Sequence, residues 1–201
     1  MKTLLVTGGI GSGKSMVCRM LSSDFGIPVF DSDSAAKSLY GDGAFLDTLE
    51  KELGVPLRDD SGKFDSAGLS SLIFGDGSCL FRKKVEALVH PEVYRMYGKW
   101  ALEVESDSQW RAFEGAASVN TSALESFGPV KTLLVDAPEE VRIQRVLRRS
   151  PGLSSGAIRS RIAAQHFDRG AADFIIDNIG SCEALWGKVA ALTDNLKNID
   201  I

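Results

Sequence analysis

Thr3-Leu4-Leu5-Val6-Thr7 runs directly into Gly8-Gly9-Ile10-Gly11-Ser12-Gly13-Lys14-Ser15, and this junction decides the fold. The first five residues read as a buried strand, and a helical pattern opens at Lys14 and continues to residue 23. Between them, every fixed position of G-x-x-x-x-G-K-[ST] is present. Glycines let the backbone curl so that successive N–H groups point at phosphate oxygens. The N-terminus of the following helix adds partial positive charge. Lys14 can reach the β- and γ-phosphates, and the Ser15 hydroxyl can ligate Mg²⁺. Strand, loop and helix together read as a nucleoside triphosphate site at the end of a strand.

Outward from this site, short apolar runs alternate with amphipathic stretches, the pattern of an α/β chain with a parallel sheet. Strands are expected at 3–7, 27–30, 110–117, 130–135 and 174–176, and helices at 14–23 and 139–149 among others. About 80 residues separate the second strand from the third, far more than one crossover needs. That stretch carries turn signals at Gly41-Asp42-Gly43, Asp60-Ser61-Gly62 and Gly75-Asp76-Gly77. Asp76 and Ser78 could each cap a following helix. His90-Pro91 reads as a helix boundary, because Pro91 disfavours helical backbone at His90. Residues 38–106 are therefore expected to form a helical insertion, where enzymes often place a second substrate.

Acids stand where the phosphate end of the sheet is expected. Asp31 and Asp33 follow the second strand, and ligands of open parallel sheets bind beyond the carboxyl ends of strands. Either acid could accept a proton from an attacking hydroxyl or help to hold a metal. In an extended segment the two point the same way; the other reading has Asp31 capping the next helix and Asp33 simply exposed. Glu114, near the end of the third strand, is a weaker candidate for a metal-side carboxylate. Between Ala137 and Gly170 lie Arg142, Arg145, Arg148, Arg149, Arg159, Arg161 and Arg169 against Glu139, Glu140 and Asp168. That stretch has a formal charge of +4 in a chain of -4, so the remainder carries -8. Such asymmetry fits an anionic ligand, or else a solvated helix face balanced by acids elsewhere.

The 201 residues are 44% hydrophobic and 25% charged, which excludes a disordered or fibrous chain. The acidic balance disfavours a generic nucleic-acid binder. No apolar run approaches the roughly 18 residues of a membrane span. The N-terminus is too short and too soon glycine-rich for a signal peptide, so a cytoplasmic protein is expected. Cys18, Cys79 and Cys182 form no CxxC pair, and with only His90 and His166 a zinc site is not expected.

The ordered combination of four segments resembles the dephospho-CoA kinase family over nearly the whole chain. They are Thr7 to Ser15; Phe30-Asp31-Ser32-Asp33; His90-Pro91; and Arg145 and Arg149 followed by Arg161-Ile162-Ala163-Ala164-Gln165 and Ala172-Asp173-Phe174-Ile175-Ile176-Asp177-Asn178-Ile179-Gly180. The resemblance implies a P-loop kinase-type parallel five-stranded sheet flanked by helices, with a helical substrate-binding insertion and an Arg-rich lid. It implies a nucleotide-binding core over 1–37 and 107–201, a substrate lobe over 38–106 and a lid over 142–169. The implied reaction is phosphorylation of the 3′-hydroxyl of dephospho-CoA by ATP with Mg²⁺, without nucleic-acid or membrane partners. The phosphates would lie over Gly8, Gly9, Ile10, Gly11, Ser12, Gly13, Lys14, Ser15 and Met16, with Asn178 near the adenine. Asp33 would be the general base, with Asp31 the second choice, and both would face the acceptor. Arg145 and Arg149 would meet the polyphosphate as the lid closes, and His90 would sit on the acceptor side or serve only as a helix cap.

One departure stands out. The family usually reads close to P-L-L-F-E after its third strand, where this chain has Ala116-Ala117-Ser118-Val119-Asn120, so Asn120 replaces the usual Glu. Three further readings share these features: another P-loop small-molecule or nucleotide kinase, a nucleotide-dependent switch, and a non-catalytic nucleotide-binding descendant. A guanine-specific switch would carry N-K-x-D, which is absent.

Overall fold

The computed structural model describes residues 1–75, 80–115, 119–165 and 167–199, with the backbone alone at residues 74 and 75. Five strands make one sheet: β1 (Lys2–Thr7), β2 (Val29–Asp31), β3 (Trp110–Glu114), β4 (Val130–Asp136) and β5 (Phe174–Asp177). Their order is β2-β3-β1-β4-β5, and every neighbouring pair is parallel. The apolar run of β1 is explained by its central place, since both faces of a central parallel strand are covered. Leu4 and Val6 point into a core with Ala112, Leu133, Val135 and Ile176. Helices α1 (Lys14–Ser23) and α9 (Cys182–Lys197) close that core. On α9, Leu185, Val189, Leu192 and Leu196 recur at the three- and four-residue spacing of one helix face.

Two expected strands are corrected at their ends. The second begins at Val29 rather than at 27, because Pro28 has no N–H to donate into the ladder. The third ends at Glu114 rather than at 117; residues 116 and 117 lie outside the described ones. After β3 come a short helix, α6 (Thr121–Glu125), and after β4 a hairpin of α7 (Glu139–Arg149) and α8 (Ser155–Ala163). The hairpin has its own apolar cluster of Ile143, Val146, Ile158 and Ile162. Ser154 caps α8 by accepting from the Ala157 N–H at 3.1 Å. Arg159 of α8 ion-pairs with Glu139 and with Glu140 (2.6 Å), acids of the first turn of α7.

The described residues divide into two compact units, Met1–Asp31 with Glu103–Ile201, and Ser32–Leu102. The second contains α2 (Ser32–Leu39), α3 (Gly43–Leu53), α4 (Ser66–Gly75) and most of α5 (Leu80–Glu103). Asp42, in the first turn signal, caps α3 by accepting from Ala44 N–H at 2.9 Å. Gly62 takes a positive φ in the second, and Asp76 and Ser78 of the third lie outside the described residues. The expected boundary at His90-Pro91 is overturned: α5 runs through Pro91 without ending. Proline costs a helix one hydrogen bond and some steric strain. Here Val85, Val89, Val93 and Tyr97, all buried at four-residue spacing, hold one face of the helix in the core on both sides of it. Each such burial is worth about 1.5–3 kcal/mol, enough together to exceed the proline penalty. Among the described residues no helix is long and apolar enough to cross a membrane.

Candidate active site

The sheet carries the loop of residues 8–13 at the carboxyl end of its central strand. Gly13 stands at the entry to α1 with φ 101°, a left-handed conformation that side chains rarely adopt. A Cβ there would also overlap the Asn178 amide nitrogen, so the loop and the residue after β5 touch only because Gly13 lacks one. Lys14 Nζ donates to the Gly8 carbonyl at 2.6 Å, which curls the side chain back over the loop. The Met16 N–H donates to the Gly13 carbonyl at 3.0 Å, and the Met16 side chain is exposed. The Ser15 hydroxyl donates to Glu114 Oε1 at 2.8 Å. In register, Glu114 of β3 stands beside Asp31 of β2. Two strand ends and the first turn of α1 thus bring a hydroxyl and carboxylates together at the loop.

This oxygen donor set fits Mg²⁺, which usually takes one or two protein oxygens and fills its octahedron with phosphate and water. Among the described residues no group of three or more His, Cys, Asp and Glu side chains could hold a metal by itself. Beneath Ser15 and Glu114 lies Cys18, buried. Burial raises its thiol pKa, and the Glu114 charge raises it further, so the group stays protonated and serves as packing.

The basic stretch divides by what its arginines touch. Arg145 donates to the carbonyls of Ser12 (3.3 Å), Gly11 (3.4 Å) and Asn178 (3.1 Å). Asn178, itself buried, donates from Nδ2 to the Ser12 carbonyl at 2.7 Å. Arg142 is buried and donates to the Ile10 carbonyl at 2.9 Å. These donors hold the carbonyls of residues 10, 11 and 12 on the side of the loop that faces α7 and Asn178. Arg169 instead pairs with Asp136 and Asp177, and Arg148 and Arg149 are exposed on the last turn of α7.

Other expected residues lie elsewhere. Asp33 is in the first turn of α2, so the chain is not extended through it and the expected extended alternation with Asp31 is absent. His90 is in mid-helix on α5 with its ring 6.5 Å from that of Tyr94, so it caps nothing. Asn120 is the N-cap of α6 and accepts from the Ser122 N–H at 3.0 Å. Ala116, Ala117 and Ser118 lie outside the described residues, as do Cys79 and His166. The sequence places Arg142 in the basic stretch and Gln165 in the segment that resembles the family's lid helices, but gives neither an individual role, because their common partner Ile10 is 132 and 155 residues away in the chain.

A parallel sheet of this order, with the phosphate loop between β1 and α1, defines a P-loop kinase fold. Shikimate kinase from Acinetobacter baumannii shares it, with a TM-score of 0.51 at 18% identity over 98% of this chain and 95% of that one. More particularly, the family model for dephospho-CoA kinase matches residues 3–184, and the chain belongs to that family. A dephospho-CoA kinase from Porphyromonas gingivalis is 37% identical over 166 residues, 82% of this chain and 78% of that protein. One from Mesorhizobium japonicum is 34% identical over 98% of each chain. A crystal structure from Thermus thermophilus matches with a TM-score of 0.77 at 30% identity, covering 96% of this chain and 97% of that one.

Proposed function

We propose that this chain transfers the γ-phosphoryl group of Mg·ATP to the 3′-hydroxyl of the dephospho-CoA ribose, giving coenzyme A and ADP. Family membership over residues 3–184 is the observation that carries the choice of acceptor. Phosphoryl transfer asks a protein for positioning and charge stabilisation more than for covalent chemistry. The loop amides and Lys14 stabilise charge on the transferred group. Ser15 and Glu114 hold the Mg²⁺ that comes with the triphosphate. Asp33 takes the proton from the acceptor hydroxyl, with Asp31 as the second candidate, and His90 serves the acceptor side. Residues 142–169 act as a lid over the nucleotide, with 38–106 as the acceptor lobe. Within the lid Arg145 and Arg149 meet the polyphosphate as the lid closes, with Arg145 and Asn178 also holding loop carbonyls in the ligand-free protein, and the adenine lies beside Asn178. The reaction needs no nucleic-acid or membrane partner, and a cytoplasmic setting suits it.

The experiment is ADP release from Mg·ATP with dephospho-CoA, run beside adenosine, AMP and no acceptor. Release with dephospho-CoA alone, with coenzyme A confirmed by mass, is the expected result. No release with any acceptor, in protein that still binds ATP, would reject the reading.

A further inference from the structure

Ile10 occupies a position that the phosphate-loop motif leaves variable, yet each of its groups is engaged by the α7–α8 hairpin and the turn after it. Its N–H donates to Gln165 Oε1 at 2.8 Å. Its carbonyl accepts from Arg142 Nε at 2.9 Å. Its side chain packs against the cluster of Ile143, Val146, Ile158 and Ile162. Arg142 also reaches Gln165 Oε1, at a longer 3.4 Å, which links the two clamping side chains. Room for the guanidinium comes from Gly9, where a Cβ would overlap it. These partners lie 132 and 155 residues from Ile10 along the chain.

The arrangement is demanding. Arg142 is buried, and burial lowers its pKa against the supporting charges of Asp136 and Glu139. A cation is kept out of water here while the Ile10 carbonyl takes one of its hydrogens. A short loop that must aim several N–H groups at one anion gains most from having a peptide fixed at its bend, because orienting donors in advance removes that cost from the reaction step. Held at both its N–H and its C=O, Ile10 has both adjoining peptide planes set. Gly11, Ser12 and Gly13 then start from a fixed frame.

We infer that Gln165 and Arg142 are positioning residues that clasp the Ile10 peptide, hold the phosphate loop in its anion-binding shape and tie it to the α7–α8 hairpin. The inference rests on the phosphate-transfer reading above only for its kinetic consequence; the clasp itself belongs to the ligand-free protein. Gln165 is partly exposed and lies outside the buried clusters, so its variants keep the fold.

Three proteins test it: wild type, Gln165→Met, which keeps the length and loses the acceptor, and Gln165→Glu, which keeps the acceptor. Amide hydrogen exchange at Ile10 is read by NMR without ligand. The N–H is expected to exchange at least about tenfold faster in Gln165→Met than in wild type, and to stay protected in Gln165→Glu. In steady-state assays Gln165→Met is expected to lose about tenfold in kcat while KM for ATP moves less than about threefold, a split that general loosening of the fold would not produce. Ile10 exchange equal in wild type and Gln165→Met overturns the clasp. So does a Gln165→Met kcat within about twofold of an active wild type. Should wild type itself fail with dephospho-CoA, the acceptor assignment falls and the exchange rates alone decide the clasp.

Discussion

Arginine is used differently beside the phosphate loop and in the helical unit Ser32–Leu102. Beside the loop, Arg142 and Arg145 end on main-chain carbonyls of residues 10, 11, 12 and 178, with longer bonds to the side-chain amide oxygens of Gln165 and Asn178. In the helical unit, Arg58 ends on carboxylates, at 2.6 Å to Asp47 and closer still to Glu50, with one long bond to the Gly43 carbonyl. Those carboxylates raise the Arg58 pKa, whereas burial lowers that of Arg142. The second pattern joins α3 to the turn after it across a surface where water and salt compete, and such pairs contribute little. The first gives an irregular backbone a shape it could not hold alone. A guanidinium that ends on carbonyls marks a loop being shaped, and one that ends on carboxylates marks a surface being closed.

Substitutions can break or sharpen this contrast. The largest effect is expected from Asp33→Asn, because general-base removal is worth about 10²–10⁴-fold. We expect turnover with dephospho-CoA to fall by about 10³-fold while ATP binding, read by calorimetry, is kept. Near-normal turnover would remove chemistry from the helical unit and leave it a scaffold. A smaller loss, about tenfold in kcat/KM, is expected for Arg145→Ala, with little recovery in Arg145→Lys. A lysine cannot span several carbonyls as the planar fork does. Full activity in the lysine variant would mean that the site needs only the charge of Arg145, and the contrast with Arg58 would weaken. The smallest effect is expected for Arg58→Ala: kcat/KM within about twofold of wild type and a melting temperature lower by about 2 °C or less. That shift should shrink in high salt. A larger, salt-independent fall would show that the carboxylate pairing also shapes backbone.

The legible parts of the molecule are those whose causes lie within a few residues. The loop of residues 8–15 was readable because strand, glycines, lysine and helix start are contiguous, and the helices Lys14–Ser23 and Glu139–Arg149 begin and end where their patterns do. Asp31 and Asp33 were recognisable as acids after a strand, but α2 starts between them, so the alternation of an extended chain does not relate them. His90-Pro91 misled for an energetic reason. A local penalty was visible in the sequence, while the buried stripe that outweighs it needed partners from the rest of the unit. Glu114 was a weak candidate until the β1–β3 and β2–β3 registers set it beside Asp31 and within reach of Ser15.

By itself the sequence determined that the chain would bind a nucleoside triphosphate at the end of a buried parallel strand. The rules behind that conclusion act between neighbours: backbone curvature at glycine, N–H groups at a helix start, a lysine at a set distance. Only the tertiary structure decided which of seven arginines serve the loop, that Gln165 meets Ile10, and that Asn178 stands under Gly13. Those contacts join residues more than 100 positions apart, and they exist only because apolar burial first brings the sheet and its helices together.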